Sequence, residues 1–295
     1  MGCQSWAGSP GRTHTRRHGI RLALYPWPMT AKRAIITGCS SGIGRATAIE
    51  LTGRGYEVVA TARRAESLAD LKVAQTLVLD VDSDESVASA FREVGPVDVL
   101  VNNAGFGVDG AIEMVPLVDV HRMFETNFFG AARMIQAFLP AMRERGRGAI
   151  VNVTSVAGIA VGPLSGYYSA SKFALEALSE ALRLEVEHFG VTVIVIEPGA
   201  IDTNFEQNLV DFREEPGPYR PLAEQWDGSL EALRGGQPAP GPELVASVIV
   251  DALSSDAARL RWPVGSDAEL VTSTRQSLGY EAFVSTTRDL LGIDW

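Results

Sequence analysis

A doubly wound α/β fold, built on one parallel sheet of seven strands in the order 3-2-1-4-5-6-7 and flanked by helices, is what the 295-residue sequence predicts. Two patterns carry that expectation. From Lys32 onward short β-branched runs alternate with stretches of helical periodicity, as when parallel strands are joined by crossover helices. The strand runs are also apolar almost throughout rather than at alternate positions, as expected of a sheet covered by helices on both faces.

Taken in order, "RAIITG" reads as the first strand and "GIGRATAIELTGRG" as the first helix. "YEVVATA" and "QTLVLDV" follow as strands two and three. Asp82 with Glu85 has the spacing of a capping box opening the helix "DESVASAFREV". "VDVLVNNAG" is the fourth strand, and a long helical region runs from about Val118 to Arg145. Strand "GAIVNVTS", a helix from about Gly166 to Phe189, and strand "VTVIVIEP" come next, with "RLRWPVG" as the seventh strand. Between Ala200 and Gly241 periodicity fails, while prolines and the apolar side chains Phe205, Leu209, Phe212, Tyr219, Leu222 and Trp226 accumulate. A long irregular insert in a compact domain reads as a functional lid or as a disordered segment. Its apolar residues could line a pocket, pack the lid down or form a subunit interface.

Residues 1–28 differ in kind, with Arg12, Arg16, Arg17 and Arg21, no acid, and the proline-broken "YPWP". They read as a disordered basic arm or as an over-called start ahead of Met29, with a functional arm as the alternative. One catalytic domain is expected over 29–295, with the lid at about 200–241. The net charge of −10 opposes nonspecific nucleic-acid binding. No apolar run reaches the roughly 20 residues of a membrane-spanning helix. With Cys3 and Cys39 as the sole cysteines, neither a disulfide framework nor a CxxC site is available, which points to a reducing, cytoplasmic setting. His121 and His188 lack a metal-ligand pattern.

"TGCSSGIG", Thr37 to Gly44, sits between the first strand and the first helix. There Gly38 permits a sharp turn, Gly42 lets a pyrophosphate approach the backbone, and Gly44 lets the helix pack closely. The helix N-terminus then faces the anion, as in a Rossmann fold. After the second strand, many NAD-binding relatives of this fold place an acid for the ribose hydroxyls. Here "VVATARR" offers Ala62 followed by Arg63 and Arg64. Guanidinium groups suit a 2′-phosphate, so NADP(H) is expected as the preferred cofactor, with NAD(H) possible. The alternative is a pair of solvated arginines at a strand end.

In "SGYYSASK" the helical period places Tyr168 and Lys172 on one face and turns Tyr167 about 100° away. A phenol with a reference pKa near 10 becomes a useful base only when cations stabilise its phenolate, and Lys172 together with an oxidised nicotinamide would supply them. A depression of about three pH units is the expectation. Ser155, at the end of "VNVTS", lies at the carboxyl edge of the sheet and 13 positions before Tyr168. Asn127, in "ETNFFG", falls inside a helix, where asparagine is slightly unfavourable and so calls for a reason.

Asn127, Ser155, Tyr168 and Lys172, the G-x-x-x-G-x-G spacing, "NNAG" and "EPG" together resemble the short-chain dehydrogenase/reductase family over about residues 30–265. Within it the run from "NNAGFG" to "EPGAIDTNF" looks most like hydroxysteroid- and retinol-dehydrogenase-like members. The resemblance implies that the substrate oxygen lies between Ser155 and Tyr168 while hydride passes between nicotinamide C4 and carbon. Lys172 would also hold the nicotinamide ribose, and Asn127 would support a water path to Lys172. It implies a cofactor held by Gly38, Ser40, Ser41, Gly42, Ile43 and Gly44 at the phosphates, and by Arg63, Arg64, Asp80 and Val81 around the adenosine. Asn103, Ala104, Gly105, Asn127, Tyr168, Lys172, Pro198, Gly199, Ile201 and Thr203 would line the remainder.

The expected function is thus NADP(H)-dependent interconversion of an alcohol with a ketone or aldehyde on a steroid-, retinoid- or lipid-like substrate. The alternatives are a non-catalytic cofactor-binding regulator or an NAD(H)-preferring dehydrogenase of a small polar alcohol. By the same resemblance a homodimer or homotetramer is expected.

Overall fold

Because successive strand residues point to opposite faces, an all-apolar strand feeds two cores at once. The structure, a computed structural model, does this in the inner strands of its sheet, and it describes residues 32–213, 217–233, 236–256 and 259–294. The expectations for residues 1–28 and Met29 lie outside the described residues.

Seven parallel strands form the central sheet: β1 Arg33–Ile36, β2 Glu57–Ala62, β3 Gln75–Val78, β4 Val99–Asn102, β5 Gly148–Val153, β6 Val191–Pro198 and β7 Arg261–Val264. Their spatial order is β3-β2-β1-β4-β5-β6-β7, the predicted order. In register, Ile35 of β1 lies beside Val59 of β2 and Leu100 of β4. Ile35, Val59, Leu100 and Ile150 face one core with α2 Asp84–Val94, α4 Ala131–Arg145 and α5 Gly166–Val186. Their neighbours Ile36, Val58, Val101 and Val151 face the other with α1 Gly42–Gly53 and α7 Pro242–Ser254. A charge at any of these strand positions would be buried in one core or the other.

Three local expectations are corrected. Helix α2 is capped by Ser83, whose Oγ accepts from the Ser86 N–H at 3.2 Å, and not by Asp82 with Glu85. Asp82 accepts instead from the Thr126 hydroxyl at 2.9 Å. The long helical region divides into α3 Leu117–Phe124, a π-helical turn Glu125–Gly130, and α4. The extra residue of a π turn re-aims the side chains around it, and such turns gather at functional sites.

The segment after β6 is not wholly irregular. Val210–Asp211 pairs in parallel with Val108–Asp109, outside the main sheet, and α6 spans Arg220–Leu233. Leu222 and Ala223 of α6 pack with Ala111, Leu164 and Ile293, and Gln225 donates to Asp294 at 2.6 Å. Helices α8 Ser266–Ser277 and α9 Tyr280–Leu291 follow β7, and α9 with the residues just after it packs against α6. No helix among the described residues is long and apolar enough to cross a membrane.

Candidate active site

The carboxyl edge of the sheet gathers the loops after β1, β4, β5 and β6. In the first, Gly42 adopts φ +57°, in the left-handed region that favours glycine. At Gly44 a Cβ would lie 2.4 Å from both the Asn103 amide nitrogen and the Gly38 carbonyl oxygen, so no larger residue fits without moving the loop. The closeness has a cause in the neighbouring loop: Asn103 donates to the carbonyls of Thr37 at 2.9 Å and Gly38 at 3.3 Å. The Thr37 hydroxyl accepts in turn from the N–H groups of Asn103 and Ala104, at 2.9 and 3.0 Å. Thr37 thus clamps two loops together, a role the motif itself did not reveal.

Helix α1 starts from extended Ser41, which makes no side-chain cap, and has no acid in its first turn. Its free N–H groups and positive dipole end are available to an anion. These features fit a pyrophosphate, with Ser40, Ser41 and Ile43 in the surrounding loop. At the end of β2, Ala62 is buried and both arginines are exposed. Arg63 faces Asp82 electrostatically, while Arg64 has no ion pair among the described residues. After β3, Val81 is buried against Gly130 of the π turn, and Asp80 accepts from the Asp82 N–H at 3.2 Å.

Beyond β5 the residues named from the sequence converge. The Ser155 hydroxyl faces the Tyr168 phenol, donates to the Pro198 carbonyl at 3.4 Å and accepts from the Ala157 N–H at 3.1 Å, and Lys172 Nζ stands 5.7 Å from the Tyr168 ring centroid while donating to the Val153 carbonyl at 3.1 Å. The Tyr167 hydroxyl donates to the Ile112 carbonyl at 3.3 Å, so the two tyrosines are separated as the helical period requires. Asn127, on the π turn, exchanges hydrogen bonds with both backbone groups of Phe106 at 2.9 and 3.0 Å and donates to the Ser171 hydroxyl at 3.1 Å. That explains an asparagine within a helix: it ties the loop after β4 to α5.

The expected depression of the phenol requires Lys172 and an oxidised nicotinamide together; the protein's own groups act the other way. Burial, with Asp109 adding in the same direction, pushes the Tyr168 phenol up to about 12 despite the Ser155 hydrogen bond. Burial brings the Lys172 ammonium down to about 8, opposed by Glu176. Lys172 alone, with its proton directed at the Val153 carbonyl, does not make a phenolate at neutral pH.

After β6, Pro198 and Gly199 turn the chain outward. A Cβ at Gly199 would fall 2.2 Å from a carboxylate oxygen of Asp267, which accepts from the Ala200 N–H at 2.7 Å. Asp267, unmarked by any sequence motif, therefore fixes this turn. Ile201 packs on the core under α1, and the Thr203 side chain approaches Gly42, within 3.3 Å of where a Cβ would stand. The Phe205 ring lies over Tyr168, with centroids 5.8 Å apart and planes at 58°.

A sequence profile of the short chain dehydrogenase family matches residues 32–214. The chain is 42% identical over 204 residues to a 3-ketodihydrosphingosine reductase of Bacteroides thetaiotaomicron, covering 68% of this chain and 74% of that one. It is 42% identical over 202 residues to human retinol dehydrogenase 8, covering 63% and 65% respectively. A solved short-chain dehydrogenase of Streptomyces avermitilis, 36% identical, superposes with a TM-score of 0.77 over 90% of this chain and all of its own. Two more distant solved proteins hold different cofactors. One from Burkholderia cenocepacia is in complex with NADP, at 26% identity, TM-score 0.72 and coverage of 87% and 97%. One from Burkholderia phymatum is in complex with NAD, at 25% identity, TM-score 0.71 and coverage of 85% and 94%.

Proposed function

The chain belongs to the short chain dehydrogenase family, and on that premise we propose that it interconverts a lipophilic alcohol and its carbonyl compound with NADP(H). Its coarser description is an NAD(P)-dependent oxidoreductase acting on CH–OH groups. The observation that carries the carbonyl chemistry is the Tyr168 hydroxyl, facing Ser155 and one helical turn from Lys172.

The cofactor's phosphates would lie at the N-terminus of α1, with Gly38, Ser40, Ser41, Gly42, Ile43 and Gly44 around them. Arg63 and Arg64 would meet a 2′-phosphate, and Asp80 and Val81 the adenine. Asn103, Ala104, Gly105, Pro198, Gly199, Ile201 and Thr203 would line its nicotinamide half. Bound there, the nicotinamide supplies or accepts a hydride at the substrate carbon. The remaining chemistry, at oxygen, is the protein's own. Ser155 donates a hydrogen bond that polarises the carbonyl, and Tyr168 delivers the proton that the developing alkoxide needs. A phenol kept protonated by burial is ready for reduction as it stands. Running the reaction toward oxidation requires additional positive charge to draw that proton away. Lys172 orients the ribose and contributes part of that charge, and Asn127 holds the loop and helix that flank it.

A lipophilic substrate is supported by the Phe205 ring over Tyr168 and by relatives named for a long-chain lipid ketone and for retinol. Residues 200–241 act in this reading as the lid of the catalytic domain. Exposed Phe173 and Leu184 on α5 support assembly through that helix into a homodimer or homotetramer.

The test is an activity screen over steroid, retinoid, sphingoid and small polar alcohols and carbonyls with each cofactor, with Tyr168→Phe as the blank. Turnover confined to small polar substrates, or better with NAD(H), would overturn the substrate and cofactor assignments in turn. Cofactor binding without turnover on any substrate would favour a regulator.

A further inference from the structure

Four consecutive residues at the end of β5 are each held by a different side chain on one face of α5. Asn152 donates to Ser179 at 2.8 Å, Val153 accepts from Lys172 at 3.1 Å, Thr154 donates to Glu176 at 2.6 Å, and Ser155 meets Tyr168. Ser179 and Glu176 are the α5 members of this ladder that the reaction does not use, and Glu176 is the ionisable one. It is buried, one helical turn beyond Lys172, and both side chains press on the turn that follows Ser155. A Cβ at Gly158 would lie 3.0 Å from Glu176 Cγ and 3.4 Å from Lys172 Cβ.

Behind Glu176 stands a second layer. Arg261, from β7, lies 3.0 Å from Glu176, 2.6 Å from Glu180 and 3.2 Å from Glu197. Glu197 opens the turn at Pro198 and Gly199 and is completely buried, yet its oxygens have no hydrogen bond among the described residues. The two buried carboxyls therefore differ in environment. Burial raises the carboxyl of Glu176, and hydrogen bonds from Thr154 and Arg261 oppose that rise by favouring the ionised form; Glu197 receives no such bond.

We propose that Glu176 is a positioning residue for the reacting pair: it sets a carboxyl one helical turn from Lys172, ties the Ser155 strand end to the Tyr168 helix, and is itself anchored by Arg261. The groups facing it are Lys172 and Glu180 on α5, Thr154 on β5, Glu197 on β6 and Arg261 on β7, with Arg259 acting on Glu197. The groups facing Lys172 are Tyr168, Glu176 and the Val153 carbonyl, with Asn127 across Gly105. Glu176 is the one carboxylate that opposes the effect of burial on the lysine. The arrangement also explains a buried carboxylate beneath an active-site lysine without a direct ion pair between them. Its charge is divided between the ammonium and the guanidinium of β7.

The inference rests on the reading of Tyr168 and Lys172 as the reacting pair. It is tested by the pH dependence of kcat/KM and of NADPH and NADH affinity, read by cofactor fluorescence, in Glu176→Gln. Glutamine keeps the acceptor for Thr154 and removes the charge. The alkaline limb of both profiles is expected to move down by about one pH unit. Thr154→Val, nearly isosteric, withdraws a hydrogen bond that favours the ionised form of Glu176 and should move the limb the same way by less, which preserves the test if Glu176→Gln does not fold. Glu180→Gln, altered only at the exposed end of Arg261, should leave the limb in place. A loss of activity equal at all pH values, or no change in either profile, would overturn the proposal. Failure of the underlying reading would show separately, as full activity in Tyr168→Phe.

Discussion

Glu197 offers the sharpest test of the electrostatics under the site. It is 0% exposed on β6, with Arg261 Nε at 3.2 Å, and is placed where its ionised form is poorly compensated. Burial first, then Glu176, pushes its carboxyl from 4.5 up to about 7, against the pull of Arg261 and Arg259. The folded chain thus binds this proton more tightly than the unfolded chain does. The stability it contributes is complete below the unfolded value and is lost as pH rises through the folded one. An interval from 4.5 to about 7 corresponds to about 3 kcal/mol. Glu197→Gln keeps the shape and cannot ionise, so its stability relative to wild type should improve by about 3 kcal/mol between about pH 4.5 and pH 8. Urea denaturation of both proteins across that range measures the difference, in which groups titrating equally in the two chains cancel. A difference that stays flat with pH, or that falls as pH rises, would refute the reasoning.

Other perturbations address the site directly. Tyr168→Phe should lower kcat by roughly 10²- to 10⁴-fold with cofactor affinity nearly unchanged, while Tyr167→Phe, losing only its bond to the Ile112 carbonyl, should stay close to wild type. Initial rates and cofactor titration on both variants decide it. Replacing Arg63 and Arg64 by alanine should weaken NADP(H) roughly 10- to 100-fold per contact removed and leave NAD(H) affinity almost unchanged. An equal loss for both cofactors would count against a 2′-phosphate site. In Phe205→Ala the contact over Tyr168 is gone, so kcat/KM should fall about 10-fold for bulky lipophilic carbonyls and little for acetaldehyde. A uniform change across substrate sizes would remove Phe205 from substrate recognition.

Much of the fold was legible because its signals are local. The apolar runs of β1 to β7 and the helical periods between them are written within windows of a few residues, and the order of the strands follows from the crossover rule. The glycine loop was legible for the same reason: positive φ at Gly42 and close approach at Gly44 leave few residue types possible. The separation of Tyr168 from Tyr167 needed only the helical period. Less could be read where a choice depended on neighbours distant in sequence. The cap of α2 went to Ser83 because Asp82 is engaged by Thr126, 44 positions later, and Asn127 lies in a π turn because its amide meets Phe106 and Ser171 across the fold.

By itself, then, the amino-acid sequence determined the doubly wound sheet, the glycine-rich loop after β1 and which tyrosine shares a face with Lys172, since each is set by backbone conformation and period. Only the tertiary structure decided how the centre is charged. Burial, a property of the whole packed chain, raises Tyr168 and lowers Lys172. Glu176, Glu197 and Arg261 come from a helix and two strands, and the register of β6 with β7 brings Glu197 beside that arginine. Ionisation depends on desolvation and on the distances between charges. Neither exists until the chain is folded.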